Sequence, residues 1–475
     1  MSGAKISDLA MLTMAEASAL VGKKEVSPVE LTKECLDHIK ARSRELVCYV
    51  TVLEEQALED AKKAEAEIVA GGQKSPLHGI PFALKDIYCT KGVLTSAGSP
   101  FFSDYYPDFD SAVGRKLAAA GGILLGKTNT SEWALTIHSR SYFGQSRNPW
   151  NPERAPGGSS GGSAIAVAAG MAYMAMGSDT GCSIRLPAAF CGVAGFKPSY
   201  GLVSLYGIVP LSYSMDHAGP IGRSVMDLAL TMDLISGFDP LDPCSDRGAH
   251  RPAQFAAELL KIKDLKGQVI GVPSNFFFDR TDSEVEELVL KAIDRLKDLG
   301  AKVEYLEIPH MDWIPEVSSK ILFAEAAHFH KERLASRPEL FGEVERQRLE
   351  RGRAATAVEL VDALRKREVI RRAWEEAAAK VDAVAVPTTP IAAFKLGCDT
   401  VTVKGIEEPC ADMAVRHCRM GTTLGVPGLT VPVGINSEGL PVGMMLMSNR
   451  YRDIEVLKVG WAYEQANPFP LLGAL

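Results

Sequence analysis

"GIPFALKDI", residues 79–87, is where the texture of the chain changes. It is a short apolar run bounded by a glycine and by charged residues, the pattern of a strand buried on both faces. The segment that follows it, "DSAVGRKLAAAGG" (110–122), has the period of a helix and ends in glycines, and "ILLG" (123–126) returns to a buried strand. Strand, helix, strand in that order implies parallel strands covered by helices.

The same alternation continues outward from this point. "SVMDLALTMDLISG" (224–237) places Ser224 and Asp227 as a capping box. The helix beginning "SEVEELVLKAIDRLKDLG" pairs Ser283 with Glu286 in the same way, buries a stripe of Val285, Leu288, Val289, Ala292, Leu296 and Leu299, and closes at Gly300. "VDAVAVPTT" (381–389) and "LTVPVGI" (429–435) read as further core strands, and "DIEVLKVGWAYEQA" as a closing helix. Upstream, residues 1–70 read as helices: "SPVELTKECLDHIK" opens with Ser27 as cap, Pro28 at the first helical position and Glu30 three residues after the cap. No Pro-, Gly- or Ser-rich linker divides the chain and no internal repeat is visible, so the expectation is one large α/β unit with a helical N-terminal arm.

Composition bounds the function. With 475 residues, 46% apolar and 23% charged, the chain has the make-up of a soluble globular protein. A net charge of -7 offers no basic surface for a polyanion, which argues against nucleic acid as a partner. Lys5, Asp8 and Glu16 interrupt the N-terminus where an export signal needs an unbroken apolar run, and the uncharged run Ser163 to Ser178 is too short for a membrane span and reads as buried core. Nine cysteines without a C-x-x-C pair point to reduced thiols in a cytoplasmic protein, not to a disulfide framework or a thiolate zinc site.

The segment "APGGSSGGSAIAVAAG" (155–170) admits three readings from its residues. A flexible linker should be flanked by polar sequence, yet Ala164 to Ala169 follow directly with apolar helical character. A phosphate cradle, making the chain a nucleotide-binding module, needs G-x-x-x-x-G-K-[ST] or a strand followed by G-x-G-x-x-G, and neither is present. A nucleophile elbow centred on Ser160 needs a core strand immediately before the turn, where Pro149, Pro152 and Pro156 stand instead.

Taken together, "GIPFALKD", "APGGSSGGSA" and "GSDTGCSIRLPAAFCGVAGFKPSYG" (177–201) closely resemble the amidase signature family, whose members hydrolyse carboxamides with a Ser-cis-Ser-Lys triad. The resemblance extends through "GKTNTSEWAL", "PLSYSMDHAGPIGRS", "PTTPIAAF" and "GVPGLTVPVG" over most of residues 15 to 468. It implies the family's fold: a mixed, largely parallel central β-sheet sandwiched by helices in a single domain over 1–475, with a helical arm at 1–70, the signature core at 79–210, a more variable substrate-pocket region at 240–380 and a C-terminal core at 381–475. It also implies roles: Ser183 as nucleophile, Ser159 as bridging serine after a cis peptide bond from Gly158, Lys85 as base, and Ser160 in the same network. The backbone N–H groups of Thr180, Gly181, Cys182 and Ser183 would meet the oxyanion, and Asp179 with Arg185 would form an ion pair that shapes the turn.

Chemistry makes sense of those residue types. An amide carbonyl is a poor electrophile and its amine a poor leaving group, so the reaction needs an activated alkoxide, a stabilised oxyanion and a proton for the departing nitrogen. Lys85 accepts a proton only when neutral, and the apolar run Ile80 to Leu84 predicts the desolvated setting that favours the neutral amine. The products would be a carboxylate and an amine, reached through an acyl-Ser183 intermediate without a metal or organic cofactor. Histidines 328 and 330 with Glu325 do not make a metal site, because helical positions two apart do not face each other.

The chain departs from the family in one place. Members usually read D-T-G-G-S where this chain has Asp179-Thr180-Gly181-Cys182-Ser183, so Cys182 should reshape the turn, narrow the acyl pocket or itself be reactive. Segments 136–145, 312–350 and 416–425 are expected to line the pockets, and the aromatic residues near the motifs favour an apolar or aromatic substrate. The sequence reading is a stand-alone amidase, monomeric or homodimeric, acting on a small non-peptide amide, aryl amide, carbamate (a urethanase-like activity) or urea; region 323–352 lacks the Tyr and Arg setting of glutamine capture. The alternative is the glutamine-hydrolysing amidase subunit of the tRNA-dependent amidotransferase.

Overall fold

Eleven strands form one sheet in the computed structural model, which describes residues 9–249, 254–470 and 472; Lys5 and Asp8 of the export-signal reading lie outside the described residues. In chain order the strands are β1 (Tyr49–Val52), β2 (Pro81–Lys85), β3 (Ile123–Thr128), β4 (Met174–Ser178), β5 (Ala194–Lys197), β6 (Ala218–Gly222), β7 (Val269–Pro273), β8 (Lys302–Leu306), β9 (Ala383–Pro387), β10 (Gly428–Ile435) and β11 (Pro441–Met447). Across the sheet they run β1-β3-β2-β4-β6-β5-β10-β11-β9-β7-β8.

The sheet is mixed, with two parallel runs. One is β3-β2-β4, in which Lys85 stands opposite Thr128 and Leu84 opposite Met176; the other is β9-β7-β8. Between the two runs β6, β5, β10 and β11 pair antiparallel, and β10 and β11 are joined by a tight turn through Asn436 and Gly439 that needs no crossover helix. Helices pack on the sheet, and β2 and β4 are buried along their whole length, as continuous apolar strands covered on both faces should be.

Most expected elements appear where the sequence places them. The helix after Ser27 spans Pro28–Leu46 with its capping box formed, the helix after Ser224 spans Val225–Ile235 with its box formed, and the closing helix spans Asp453–Ala466. Two readings need correction. The helix Ser283–Asp298 is capped by Asp282, whose carboxylate accepts from Glu284 N and Val285 N, so Ser283 is the first helical residue and not the cap. The N-terminal arm is not all helix: "YVTV" forms β1, an antiparallel edge strand on β3, as its β-branched and aromatic residues favour.

The uncharged run from Ser163 to Ser178 is core, as read. It supplies most of the helix Gly161–Ala168, buried at every residue, and all of β4. This helix and β2 converge on one end of the first parallel run, where the expected site residues Lys85 and Ser159 stand.

Candidate active site

Lys85 is the last residue of β2, and the sheet leaves its side chain no route to water: it is 0% exposed. Its Nζ donates to Ser159 Oγ at 2.7 Å and to Ser178 Oγ at 2.9 Å. Burial pulls its pKa from the ordinary 10.5 down to about 7, against the opposing pull of Asp179, Asp216 and Cys182. Desolvation disfavours an ammonium more than it disfavours an amine, so the apolar neighbours read in the sequence act as expected.

The glycines of "GGSSGGS" serve close approach. A Cβ at Gly158 would lie 2.8 Å from the carbonyl of Ile137, and one at Gly162 would lie 2.5 Å from Asn129 O and 2.6 Å from Cys48 O. The Gly158–Ser159 peptide bond is cis, as the resemblance implies. Ser139 pins the segment from outside: its Oγ donates to Gly157 O at 2.9 Å and accepts from Gly161 N at 3.1 Å. Ser160 Oγ donates to Ser178 O at 3.1 Å and accepts from Ser178 N at 3.2 Å, so it joins the lysine network through Ser178.

The second motif leaves β4 and turns into the helix Arg185–Cys191. Asp179 and Arg185 are both fully buried and meet at 2.9 and 3.0 Å, and Asp179 Oδ2 also accepts from Ile184 N at 3.1 Å. Burial alone would raise the Asp179 carboxyl; the Arg185 guanidinium outweighs it and holds the group below its ordinary value. The ion pair therefore fixes both ends of the turn that carries residues 180–183. Asp216 braces the turn from the side, accepting from Thr180 Oγ1 at 2.6 Å.

Between these supports, the N–H groups of Thr180, Gly181, Cys182 and Ser183 meet no acceptor among the described residues. All four residues line one cleft of about 510 Å³, solvent at its mouth included. Of the three residues expected to form the triad, Ser183 is the one at that surface; Lys85 and Ser159 are fully buried. The two serine segments are joined by Ser160 N donating to Ser183 O at 3.3 Å, while Ser183 Oγ hydrogen-bonds no group among the described residues. Lys85 and Ser159 thus stand in contact, and the Ser159–Ser183 link is open.

Cys182 lines the cleft beside Ser183. It has no positive φ, so the turn does not need glycine there, and its thiol lies 3.6 Å from the Gly158 carbonyl, to which it donates. Burial pushes the thiol well above its ordinary range, so it stays protonated and points away from nucleophilic chemistry.

All three segments expected at the pocket reach the cleft: Thr136 and Ile137 from the first, Ser319, Leu322, Phe323 and Arg348 from the second, Arg419 from the third. Among the described residues the lining is mostly apolar, with Leu135, Ile137, Leu211, Leu322 and Val415, and Phe323 as its aromatic member; Arg348 and Arg419 share the wall with them. Arg348 also comes from the stretch read as lacking an arginine setting. The histidines pack: His330 stacks edge-on to Trp133 at 4.5 Å, His328 meets Tyr213 at 6.0 Å, and Glu325 accepts from Ser212 Oγ and Ser214 N. Ser139, Ser178 and Asp216 escaped the sequence reading because lone serines and an aspartate carry no spacing signal; "GSDTG" held Ser178 in plain view.

The family model named Amidase matches residues 30–457. This chain belongs to the amidase family. It is 38% identical to a glutamyl-tRNA(Gln) amidotransferase subunit from Moorella thermoacetica over 97% of this chain and 98% of that one. Among solved structures it is similar to a crystal structure of an amidase (34% identical, TM-score 0.86, 96% of this chain and 99% of that one). It is also similar to a chain from the vestigial protein complex that reveals the origins of an s-triazine catabolic enzyme (29% identical, TM-score 0.92, 97% of this chain and 100% of that one). The chain is therefore an amidase-family enzyme with a mixed-sheet fold. Among the described residues no helix is long and apolar enough to cross a membrane.

Proposed function

We propose that the chain hydrolyses a carboxamide through an acyl-Ser183 intermediate. The observation that carries the reading is the buried Lys85, held at 2.7 Å from Ser159 with its pKa lowered to about 7, directly behind the one triad residue that meets the cleft. Neutral Lys85 takes the Ser159 hydroxyl proton as Ser159 takes that of Ser183, and Ser183 Oγ bonds to the amide carbon. Substrate closes the Ser159–Ser183 link, as catalytic hydrogen bonds often tighten only in the complex. The free N–H groups of residues 180–183 receive the oxyanion, each such donor being worth about a hundredfold or more in rate. The carbon–nitrogen bond then breaks, the proton returns through Ser159 to the leaving nitrogen, and water repeats the sequence to release a carboxylate. No step requires a metal or an organic cofactor.

Two finer readings share this chemistry. The stand-alone amidase acting on a small amide, carbamate or urea draws support from the small cleft and from the likeness in shape to other amidases. The glutamine-hydrolysing component of a tRNA-dependent amidotransferase draws stronger support from sequence, since the relatives at 36–38% identity carry the amidotransferase name. The deciding experiment expresses the chain in its own host, recovers it with whatever it binds, and measures ammonia release from glutamine beside release from primary amides, p-nitroanilides and aryl carbamates. Glutamine hydrolysis that depends on a co-purified protein selects the second reading. Turnover of other amides by the isolated chain selects the first.

A further inference from the structure

A two-stranded hairpin stands apart from the main sheet. Its strands, Thr400–Val403 and Ile406–Pro409, turn through Lys404 and Gly405, both at positive φ, as a tight two-residue hairpin loop requires. Of the strand residues only Val403 is buried. Lys404 Nζ donates to Phe278 O at 2.9 Å and pairs with Glu286 at 2.7 Å, and Arg280 pairs with Glu408. These ion pairs are partly exposed, so water and salt weaken them, and a two-stranded hairpin is marginal by itself.

A cysteine stands at each foot of this hairpin. Cys398 Sγ and Cys410 Sγ lie 2.9 Å apart, and Cys410 N donates to Asp399 O at 2.9 Å, which holds the two ends side by side. An approach of less than about 1 Å brings the sulfurs to bonding distance. Cys182, Cys191 and Cys418 each face a carbonyl oxygen instead. The two thiols of the pair are unequal. Cys398 is half-buried and lines two surface clefts, whereas Cys410 is 1% exposed, and burial together with the adjoining Cys398 sulfur pushes its thiol above the ordinary value. An oxidant therefore reaches Cys398 first.

Both feet connect to the cleft in front of Ser183. Cys410 opens the helix Cys410–Val415, whose Ala411 and Val415 line that cleft. Cys398 follows a stretch bridged to the lead-in of the GGSSGGS turn: Ala155 N donates to Phe394 O at 2.8 Å, and Leu396 N to Glu153 O at 2.9 Å.

We propose that Cys398 and Cys410 are a modification site, at which peroxide forms a reversible disulfide that clamps the hairpin at its base and fixes the start of the cleft-wall helix. The inference is independent of hydrolysis at Ser183. Peroxide gives one oxygen to the Cys398 sulfur, forming a sulfenic acid and a first water; the Cys410 sulfur then displaces that oxygen, forming the S–S bond and a second water. The two thiols lose two electrons in all, and the peroxide gains them.

The test oxidises the purified full chain with hydrogen peroxide, blocks the remaining thiols with N-ethylmaleimide, and maps linked peptides by mass spectrometry beside hydrogen exchange. The expected result is a Cys398–Cys410 link in most molecules, broken by dithiothreitol. Hydrogen exchange over residues 400–415 should slow at least threefold in the oxidised chain and recover on reduction. Cys410→Ser should leave Cys398 as a sulfenic acid that dimedone traps. Cys398→Ser, a change at the half-buried thiol that the fold tolerates more readily, should form no link and show the same exchange with and without peroxide. Both thiols still free after peroxide, Cys398 carried on to sulfinic acid without a link, or a link that leaves exchange over 400–415 unchanged overturns the inference.

Discussion

Lys85 Nζ and Ser159 Oγ lie 2.7 Å apart with both side chains fully buried, so the lysine has no direct contact with solvent. The protonation state of one amine then controls the reaction, and pH should show it. With burial lowering the Lys85 pKa to about 7, kcat/KM is expected to rise with pH through a midpoint near that value and to level off above it. Stability should follow the same sign: between about 7 and the ordinary 10.5 the unfolded chain holds a proton that the folded chain has lost, so unfolding free energy increases with pH across that window. Lys85→Met should remove the activity limb and flatten the stability slope, read by initial rates and by denaturant melts.

The departure at Cys182 is expected to be structural. Because its thiol is buried, protonated and turned to the Gly158 carbonyl, Cys182→Ala should keep turnover within about tenfold, whereas Ser183→Ala should abolish it. Thiol-directed alkylation of the native enzyme should leave activity intact. Loss of turnover in Cys182→Ala with activity retained in Ser183→Ala would reverse the assignment.

Asp179 and Arg185 form a buried pair, and removing one partner strands the other charge. Asp179→Asn is expected to cost about 3–5 kcal/mol of stability, the range for an uncompensated buried charge. A double change, Asp179→Asn with Arg185→Met, should recover part of that loss without restoring activity, since the turn at residues 180–183 loses its brace. Chemical denaturation of the three variants measures it.

Ser139 clamps the turn through Gly157 and Gly161, so Ser139→Ala should lower kcat while leaving KM nearly unchanged. The loss of two hydrogen bonds is worth about 1–3 kcal/mol in stability. Steady-state kinetics on a good amide substrate separates the two parameters.

Much of this was legible in the residues. The parallel run that carries Lys85 followed from the apolar "GIPFALKDI" and the helix and strand after it, and its desolvation followed from the same residues. The antiparallel middle of the sheet was not, because strand direction there depends on which distant segments become neighbours, and periodicity is silent on that. β1 was hidden for a similar reason: four residues between two long helices gain strand character only by pairing with β3. At the site, the resemblance to the amidase signature family implied Lys85, Ser159 and Ser183, but Ser178, Ser139 and Asp216 act by position alone. The charge of the cleft was invisible because Arg348 and Arg419 come from helices more than sixty residues apart and meet only in the fold.

The central claim is that Ser183 is the residue acylated. Peptide mapping by mass spectrometry after brief treatment with a fluorophosphonate tests it most directly. A single adduct on Ser183 is expected, formed faster as pH rises through about 7 and slowed severely in Lys85→Met. An adduct on Cys182 or Ser159, or no adduct while amide turnover persists, would contradict it.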